Sequence, residues 1–225
     1  MRRYYVGDKI HLQHDLWVHE PVLLQKLKHE AQVGDRMVLF DGAEVHKLYK
    51  IDELKDDEIH LLYVTDFDQV APKRNVYLLW VLQASDQNTE ILHRGARAGV
   101  SHFIPLVSNE HKPHSFDHVQ ALETIVEAIE RGDRSDMPTL REPMHSIKAV
   151  EQLAEKVQLF RWQKAKAEEL SKLAKDVGIL VAPDGGWSEA EEMFFNQHHV
   201  ISVSLDDSAE SLAGQCELLV AKLLQ

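Results

Sequence analysis

The chain has 225 residues, 44% of them hydrophobic, which is enough to build one large domain or two small ones around a buried core. A net charge of −12 excludes a broad basic surface of the kind that binds nucleic acid by charge alone, so any such contact must be local. No stretch approaches the roughly 20 apolar residues of a membrane span, and no signal-peptide-like apolar segment follows the first residues, so we expect a cytoplasmic protein without a membrane partner.

The first part of the chain has the pattern of β-structure. Strand-like stretches cover residues 2–6, 36–51 and 58–64, and a short helix is predicted over residues 20–31. Asp41 and Gly42 lie between two apolar-containing runs, which is a strong signal for a hairpin. Residues 65–75 are polar and are broken by Pro72, so we place a domain boundary there. Residues 1–70 are therefore predicted to form a small β-barrel domain.

From residue 75 onward, strands and helices alternate. Strands are predicted over residues 76–83, 101–107, 156–162, 178–183 and 200–205, and helices over 89–99, 116–131, 163–176, 188–197 and 209–224. Short apolar runs between helices predict a mainly parallel sheet that is covered on both faces. The last helix has one apolar face, which packs either on the sheet or on a second subunit. That face consists of Ala209, Leu212, Ala213, Cys216, Leu219, Val220 and Leu223.

The stretch LVAPDGGWSEAE, residues 180–191, joins a buried strand to a helix through two glycines. Gly185 and Gly186 permit a positive φ and the close approach of a ligand to the backbone. Ser188 is predicted to cap the helix, with Glu191 at the capping-box position. Ligands of open α/β sheets bind beyond the carboxyl ends of strands, where this turn falls. These residues alone leave a ligand-binding loop and a plain structural turn both open.

Few other residues suggest chemistry. Cys216 is the only cysteine and is predicted to be a buried thiol. His111, His114 and His118 lie close together, but Pro113 breaks their spacing and no cysteine completes a tetrahedral set, so we predict no metal. Trp187 is suited to covering a bound adenine, although packing is the commoner role of an aromatic in a first helical turn.

Three stretches together resemble, in order and spacing, the ribosomal RNA small subunit methyltransferase E family. They are MRRYYV at residues 1–6, EAIERGDRSDMP at 127–138 and LVAPDGGWSEAE at 180–191. The resemblance covers the whole chain and implies a PUA-like β-barrel in residues 1–70. It implies a SPOUT-type α/β domain with a trefoil knot, in which helices cover both faces of a parallel sheet, in residues 75–225. It also implies methylation of uridine N3 in small-subunit ribosomal RNA by a homodimer that uses S-adenosylmethionine.

The resemblance carries specific residues into the cofactor site. The Gly-Pro-Glu-Gly-Gly motif of the family maps onto residues 182–186, and the closing knot motif keeps one leucine. The cofactor-binding residues that the resemblance implies are Val181, Ala182, Pro183, Asp184, Gly185, Gly186 and Leu205. The chain lacks the Lys-Gly-Asp segment that the family has after its first SPOUT strand. After Leu205 it also lacks the glycine, the two arginines and the Glu-Thr pair of the knot motif.

The resemblance also implies roles for several arginines and lysines. Arg134 matches the family's Glu-Ala-x-Glu-Gln-x-x-Arg pattern and is the candidate catalytic cation; the alternative is a salt bridge with Asp133 or Asp136. Arg94 and Arg97 are weaker candidates, since a pair three residues apart on a helix is more often solvated. The implied RNA-binding residues, which would contact phosphates of ribosomal RNA or of the small ribosomal subunit, are Arg2, Arg3, Lys73 and Arg74.

The missing arginines leave the activity open. Uridine N3 becomes a nucleophile when its proton leaves, and one preorganised donor near the resulting charge is worth ~3 kcal/mol. Their loss predicts slow chemistry or another group in their place. A catalytically weak or inactive relative that acts as an RNA- or ribosome-binding module is one alternative, and a related SPOUT enzyme with another RNA substrate is a second.

Overall fold

The structure is a computed structural model that describes residues 1–42, 46–67, 72–109, 114–132, 134, 136–162, 173–182, 185–203 and 211–224. The chain divides into two compact units. The first comprises Met1–Ala71 and Ile129–Met137, and the second comprises Pro72–Ala128 and Pro138–Gln225. Within the described ranges, every helix is too short or too polar to cross a membrane.

The first unit is built on a five-stranded sheet and the α-helix that packs on it. The strands are β1 (Arg2–Tyr5), β2 (Asp15–Val18), β3 (Arg36–Phe40), β4 (His46–Leu54) and β5 (Ile59–Asp66), and the helix is α1 (Pro21–Glu30). The sheet order is β1-β3-β4-β5-β2, and the pairs are antiparallel except for β1 with β3. Phe40 pairs with His46, which confirms the predicted pairing of the strands on either side of Asp41 and Gly42. Residues 43–45 lie outside the described residues.

Helix α1 closes the core of the first unit. Pro21 stands at the first helical position, and the Glu20 carboxylate accepts a hydrogen bond of 2.7 Å from the Leu23 amide, so the helix start is capped. Leu23 and Leu27 lie four residues apart on one face and are buried. They pack on alternate residues of the strands, including Met37, Leu39, Tyr49, Ile51, Ile59 and Leu61.

The second unit is built on a parallel sheet. Its strands are β6 (Asn75–Val81), β7 (His102–Val107), β8 (Thr139–Leu140), β9 (Met144–His145), β10 (Gln158–Trp162), β11 (Asp176–Val181) and β12 (Ile201–Val203). Its helices are α2 (Ser85–Ala98), α3 (His118–Arg131), α4 (Ser146–Leu153), α5 (Glu189–Gln197) and α6 (Leu212–Leu224); the last three residues of α3 belong to the first unit. The order is β12-β10-β11-β6-β7-β8, with β9 also paired to β7. All these strand pairs are parallel, as predicted.

Helices pack on both faces of this sheet. Helix α2 approaches so closely that a Cβ at Gly95 would lie 3.0 Å from the Phe103 side chain and 3.3 Å from that of Leu78. Helix α6 packs on α2 and on β6 and β11. Helices α4 and α5 pack on the alternate residues, which point to the opposite face; Leu79, Ile104, Leu180, Val150 and Phe195 belong to that core. The predicted fold class, a parallel α/β sheet covered by helices and preceded by a small β-domain, is confirmed.

The structure also settles several smaller predictions. The buried face of α6 packs within the second unit, and Cys216 lies on it, where burial raises the pKa of the thiol to about 12. Strands β2, β8 and β9 and helix α4 were not predicted. The predicted helix at 163–176 falls mostly outside the described residues; residues 173–175 are not helical, and Asp176 begins β11. Residues 204–210, where the knot motif begins, also lie outside them, so the knot stays a prediction.

Candidate functional site

The two glycines after β11 adopt the conformation that their sequence predicts. Strand β11 lies inside the sheet between β10 and β6, and its last residue, Val181, is buried. Gly185 and Gly186 have φ values of 104° and 84°, in the left-handed region that side chains with a Cβ rarely adopt. We use the name glycine turn for residues 182–186. Its Ala182 is half-buried, while Pro183 and Asp184 lie outside the described residues.

The described residues leave open space beside Gly186. Among the described residues, nothing lies within 4 Å of a Cβ built on Gly186. In contrast, a Cβ on Gly42, which also has a positive φ, would lie 2.9 Å from the Met137 side chain. Gly42 is therefore required by packing, whereas Gly186 is required by its backbone conformation and leaves room on its exposed side. A ligand can approach the backbone there.

Two tryptophans bring buried indole donors to the same edge of the sheet. Trp187 follows the glycine turn and packs edge-to-face on Phe195, with 5.0 Å between ring centroids, so the predicted packing role is confirmed. Trp162 ends β10, the strand next to β11. In the part of the chain that the structure describes, neither indole Nε1 has a hydrogen-bond partner, although both atoms are buried. An unsatisfied buried donor costs about 1–3 kcal/mol, so both indoles suit an acceptor on a ligand.

A single buried carboxylate, that of Glu191, organises the connections around the glycine turn. The predicted capping box is present: the Glu191 amide donates to Ser188 Oγ, and the Ser188 amide donates to Glu191 Oε2 at 3.0 Å. Ser188 Oγ also donates to Oε2, at 2.7 Å. The second oxygen, Oε1, accepts from Ser146 Oγ at the start of α4 and from the Asn109 amide, 3.4 Å away, after β7.

Glu191 is charged despite complete burial. Its exposure is 0%, and burial alone would raise its pKa. The hydrogen bonds from Ser146 and Ser188 outweigh that effect, so the pKa of Glu191 is lowered overall. Its position in the first turn of α5 also favours negative charge. The sequence predicts only the capping contact; the contacts with Ser146 and Asn109 join residues 45 and 82 positions away, which local spacing does not reveal.

Arg134 is held by an ion pair. Its Nε and Nη2 donate to the two carboxylate oxygens of Asp136 at 2.7 and 2.6 Å, and its side chain is 10% exposed. This is one of the two salt bridges named as the alternative to a catalytic role. Both residues belong to the first unit. The catalytic role stays a prediction, and any such role must use a guanidinium that already forms an ion pair with the Asp136 carboxylate.

The predicted RNA-binding residues have different surroundings. In the first unit, Arg2 is exposed, whereas Arg3 is half-buried with its guanidinium 4.9 Å from the Phe67 ring centre. In the second unit, Lys73 is exposed, and Arg74 donates to the Leu223 carbonyl at 3.2 Å in the last turn of α6. A cation there stabilises the helix end, so Arg74 has a structural role in addition to any contact with RNA.

The remaining candidates have structural partners or exposed positions. Arg94 pairs with Glu90 at 2.8 Å and with Glu217 of α6 at 3.3 Å, and Arg97 is exposed. His118 lies 3.2 Å from Glu142, and His111 falls outside the described residues. Within the described ranges, no three histidine, cysteine or acidic side chains are grouped as metal ligands.

Comparisons with family models and with solved structures relate the chain to RNA methyltransferases. A family model described as the RNA methyltransferase domain matches residues 70–209. The ribosomal RNA small subunit methyltransferase E of Neisseria gonorrhoeae, solved bound to S-adenosylmethionine, is 15% identical over 99% of this chain and 96% of its own, with a TM-score of 0.85. A Legionella pneumophila protein solved with bound S-adenosylmethionine is 18% identical over 98% and 96%, with a TM-score of 0.83. At these identities the structural likeness establishes the fold. No curated protein sequence matches the chain.

Proposed function

This chain belongs to the RNA methyltransferase domain family, and from that premise we propose that it methylates N3 of a uridine in small-subunit ribosomal RNA with S-adenosylmethionine. The glycine turn carries the proposal. It follows a central parallel strand and has two consecutive positive φ values, and no described residue fills the space beside Gly186. The residues proposed to hold the cofactor are Val181, Ala182, Pro183, Asp184, Gly185, Gly186 and Leu205.

The residues around the turn fit such a cofactor. Backbone groups of the turn and the buried indole donors of Trp162 and Trp187 offer hydrogen bonds to its polar atoms. When bound, S-adenosylmethionine supplies an electrophilic methyl group on a sulfonium. The protein then has to orient uridine N3 in line with that methyl group and stabilise the negative charge left when N3 loses its proton. We assign that stabilisation to Arg134. Its guanidinium would then interact with the charge on the uridine while it keeps its ion pair with Asp136.

The proposal extends to partners. The β-domain of residues 1–70 is proposed as the PUA-like RNA-binding part, with Arg2, Arg3, Lys73 and Arg74 on phosphates. The SPOUT-type domain of residues 75–225 is proposed to act as a homodimer. The substrate is ribosomal RNA or the assembled small subunit.

Binding of the cofactor is tested by calorimetry with Gly186→Ala and a matched control, Gly34→Ala. Both glycines have a positive φ, 84° and 95°, and among described residues nothing lies within 4 Å of a Cβ at either position. Each substitution should therefore cost a similar 1–2 kcal/mol of backbone strain. We expect only Gly186→Ala to weaken S-adenosylmethionine binding, by roughly tenfold or more. Equal affinity of both variants would refute the assignment of the turn.

Activity is tested by incubating the protein and labelled cofactor with undermethylated small subunits and mapping the methyl group. A label at uridine N3 supports the proposal. A label on another atom or another RNA supports the related enzyme with a different substrate.

A second function, an RNA- or ribosome-binding module without activity, is favoured by two observations. The arginines of the knot motif are missing, and Arg134 is already bound bidentately by Asp136. This hypothesis predicts that the protein binds the small ribosomal subunit without transferring a methyl group. Asp136→Asn separates the two, since removing the charge of this one partner of Arg134 should raise the methylation rate of a slow enzyme and leave a pure binding module inactive.

A further inference from the structure

We infer that Glu191 is a positioning residue of the cofactor site, an inference that rests on the proposed function. Its carboxylate joins three connections that leave the same edge of the parallel sheet. Asn109 follows β7, Ser146 begins α4, and Ser188 ends the connection that contains the glycine turn. The three residues are far apart in the chain, and within the second unit one side chain holds them together.

Helix capping alone does not account for this arrangement. A capping box needs one acceptor oxygen, and Oε2 fills that role toward Ser188. Oε1 faces away from the box and accepts from Ser146 and Asn109. A completely buried charge is costly unless every oxygen is bonded, so a neutral residue that only capped the helix would avoid that cost. The hydrogen bonds from Ser146 and Asn109 to Oε1 are what the carboxylate provides beyond helix capping.

The effect on the site follows from the freedom of the glycines. Gly185 and Gly186 can adopt many backbone conformations, and a loop that must be ordered by its ligand binds more weakly. Ser188 lies two residues beyond Gly186, and Glu191 fixes both its amide and its hydroxyl. The carboxylate thus holds the exit of the turn relative to α4 and to the connection after β7. It acts on the cofactor through the backbone, without touching it.

The inference is tested in the full chain with Glu191→Gln and Ser146→Ala. In Glu191→Gln the amide oxygen can still accept from Ser188, so the cap survives. The NH2 group opposes the Asn109 N–H and can bond Ser146 only as a donor, so the contacts of the second oxygen are weakened. Ser146→Ala removes the hydroxyl that donates to Oε1 and leaves Glu191 unchanged. Ser101→Ala is the control: Ser101 is also a buried serine of the second unit, but it lies before β7, at the opposite edge of the sheet, and accepts from the Val76 amide at 3.4 Å.

The readouts are the calorimetric Kd for S-adenosylmethionine at a temperature where every variant is fully folded, and the KM for it against kcat. We expect Kd and KM to rise roughly tenfold in Glu191→Gln and Ser146→Ala, with Ser101→Ala unchanged. If the wild type binds the cofactor and both variants bind it equally well, even with lowered Tm, Glu191 is merely structural and the inference is overturned. If the wild type itself gives no heat, the proposed function fails first. Should Glu191→Gln not fold, Ser146→Ala decides alone.

Discussion

At the scale of single residues, the first unit contains a buried imidazole in an unfavourable setting. His46 begins β4, is 2% exposed and stacks on Phe40. In the described part of the chain neither ring nitrogen has a hydrogen-bond partner, although both are buried. Burial lowers the pKa of His46, the nearby Arg3 lowers it further, and Asp41 and Asp136 only partly oppose this. The folded protein therefore keeps His46 neutral.

Replacing His46 by Leu should change the pH dependence of stability. In the wild type the unfolded chain takes up a proton on His46 below about pH 6.5 and the folded state resists it, so stability is lost as the pH falls below that value. His46→Leu removes this loss and the unpaired nitrogens. We expect the free energy of unfolding of the variant to exceed that of the wild type by about 1 kcal/mol more at pH 5.5 than at pH 7.5. Urea denaturation at both pH values measures this, and an unchanged difference between the proteins would contradict it.

At the scale of elements, one buried guanidinium ties helix α5 to two strands. Arg161 of β10 is 5% exposed, donates to Asn196 Oδ1 of α5 at 2.8 Å and to Ser202 Oγ of β12 at 3.2 Å, and forms an ion pair with Glu192 of α5. Removing the anion of a buried ion pair strongly destabilises the folded state, because the cation then stays buried without a counter-charge. The position of α5, and with it the start of the helix after the glycine turn, depends on this network.

Glu192→Gln tests that network against Glu189→Gln. Both residues lie in the first turn of α5, so each loses the same favourable charge at the helix start, but Glu189 is exposed. We expect Glu192→Gln to lower the free energy of unfolding by about 2 kcal/mol, because Arg161 stays buried with a neutral partner. Glu189→Gln should cost less than about 0.5 kcal/mol. Guanidinium denaturation gives both values, and similar losses in the two variants would show that the ion pair contributes little.

Elements with a clear period could be predicted from the sequence, and short or non-local features could not. Helix α3 carries several regular repeats and strand β6 is an apolar run between turn residues, whereas α4 has eight residues and β8 and β9 have two each, too few to show a pattern. In the site, the glycine conformations and the capping box are local and were predicted. The contact between Glu191 and Ser146 depends on strand order, and the pairing of Arg134 with Asp136 depends on packing; spacing encodes neither.

At the scale of the whole molecule, the first unit takes part of its structure from the middle of the chain. Residues Ile129–Met137 belong to it together with Met1–Ala71. Within that unit the carboxylate of Glu130 accepts from the Tyr5 amide of β1 at 3.0 Å and forms an ion pair of 2.7 Å with Lys26 of α1. Glu130 lies in the motif of residues 127–138 that carries the family resemblance. The structure gives it a role in joining the end of β1 to the middle of α1.

Glu130→Ala should therefore loosen the first unit selectively. The substitution leaves the Tyr5 amide without its acceptor and Lys26 without its anion, at a cost of about 2 kcal/mol. Glu123→Ala, an exposed position on the same helix α3, is the control for helix propensity. We expect hydrogen exchange to become faster at Tyr5 and in β1 and β3 in Glu130→Ala only, while β6 and β11 of the second unit keep their protection. Exchange that accelerates equally in both units would mean that Glu130 supports the fold as a whole, and exchange that matches Glu123→Ala would mean that its hydrogen bond and ion pair contribute nothing measurable.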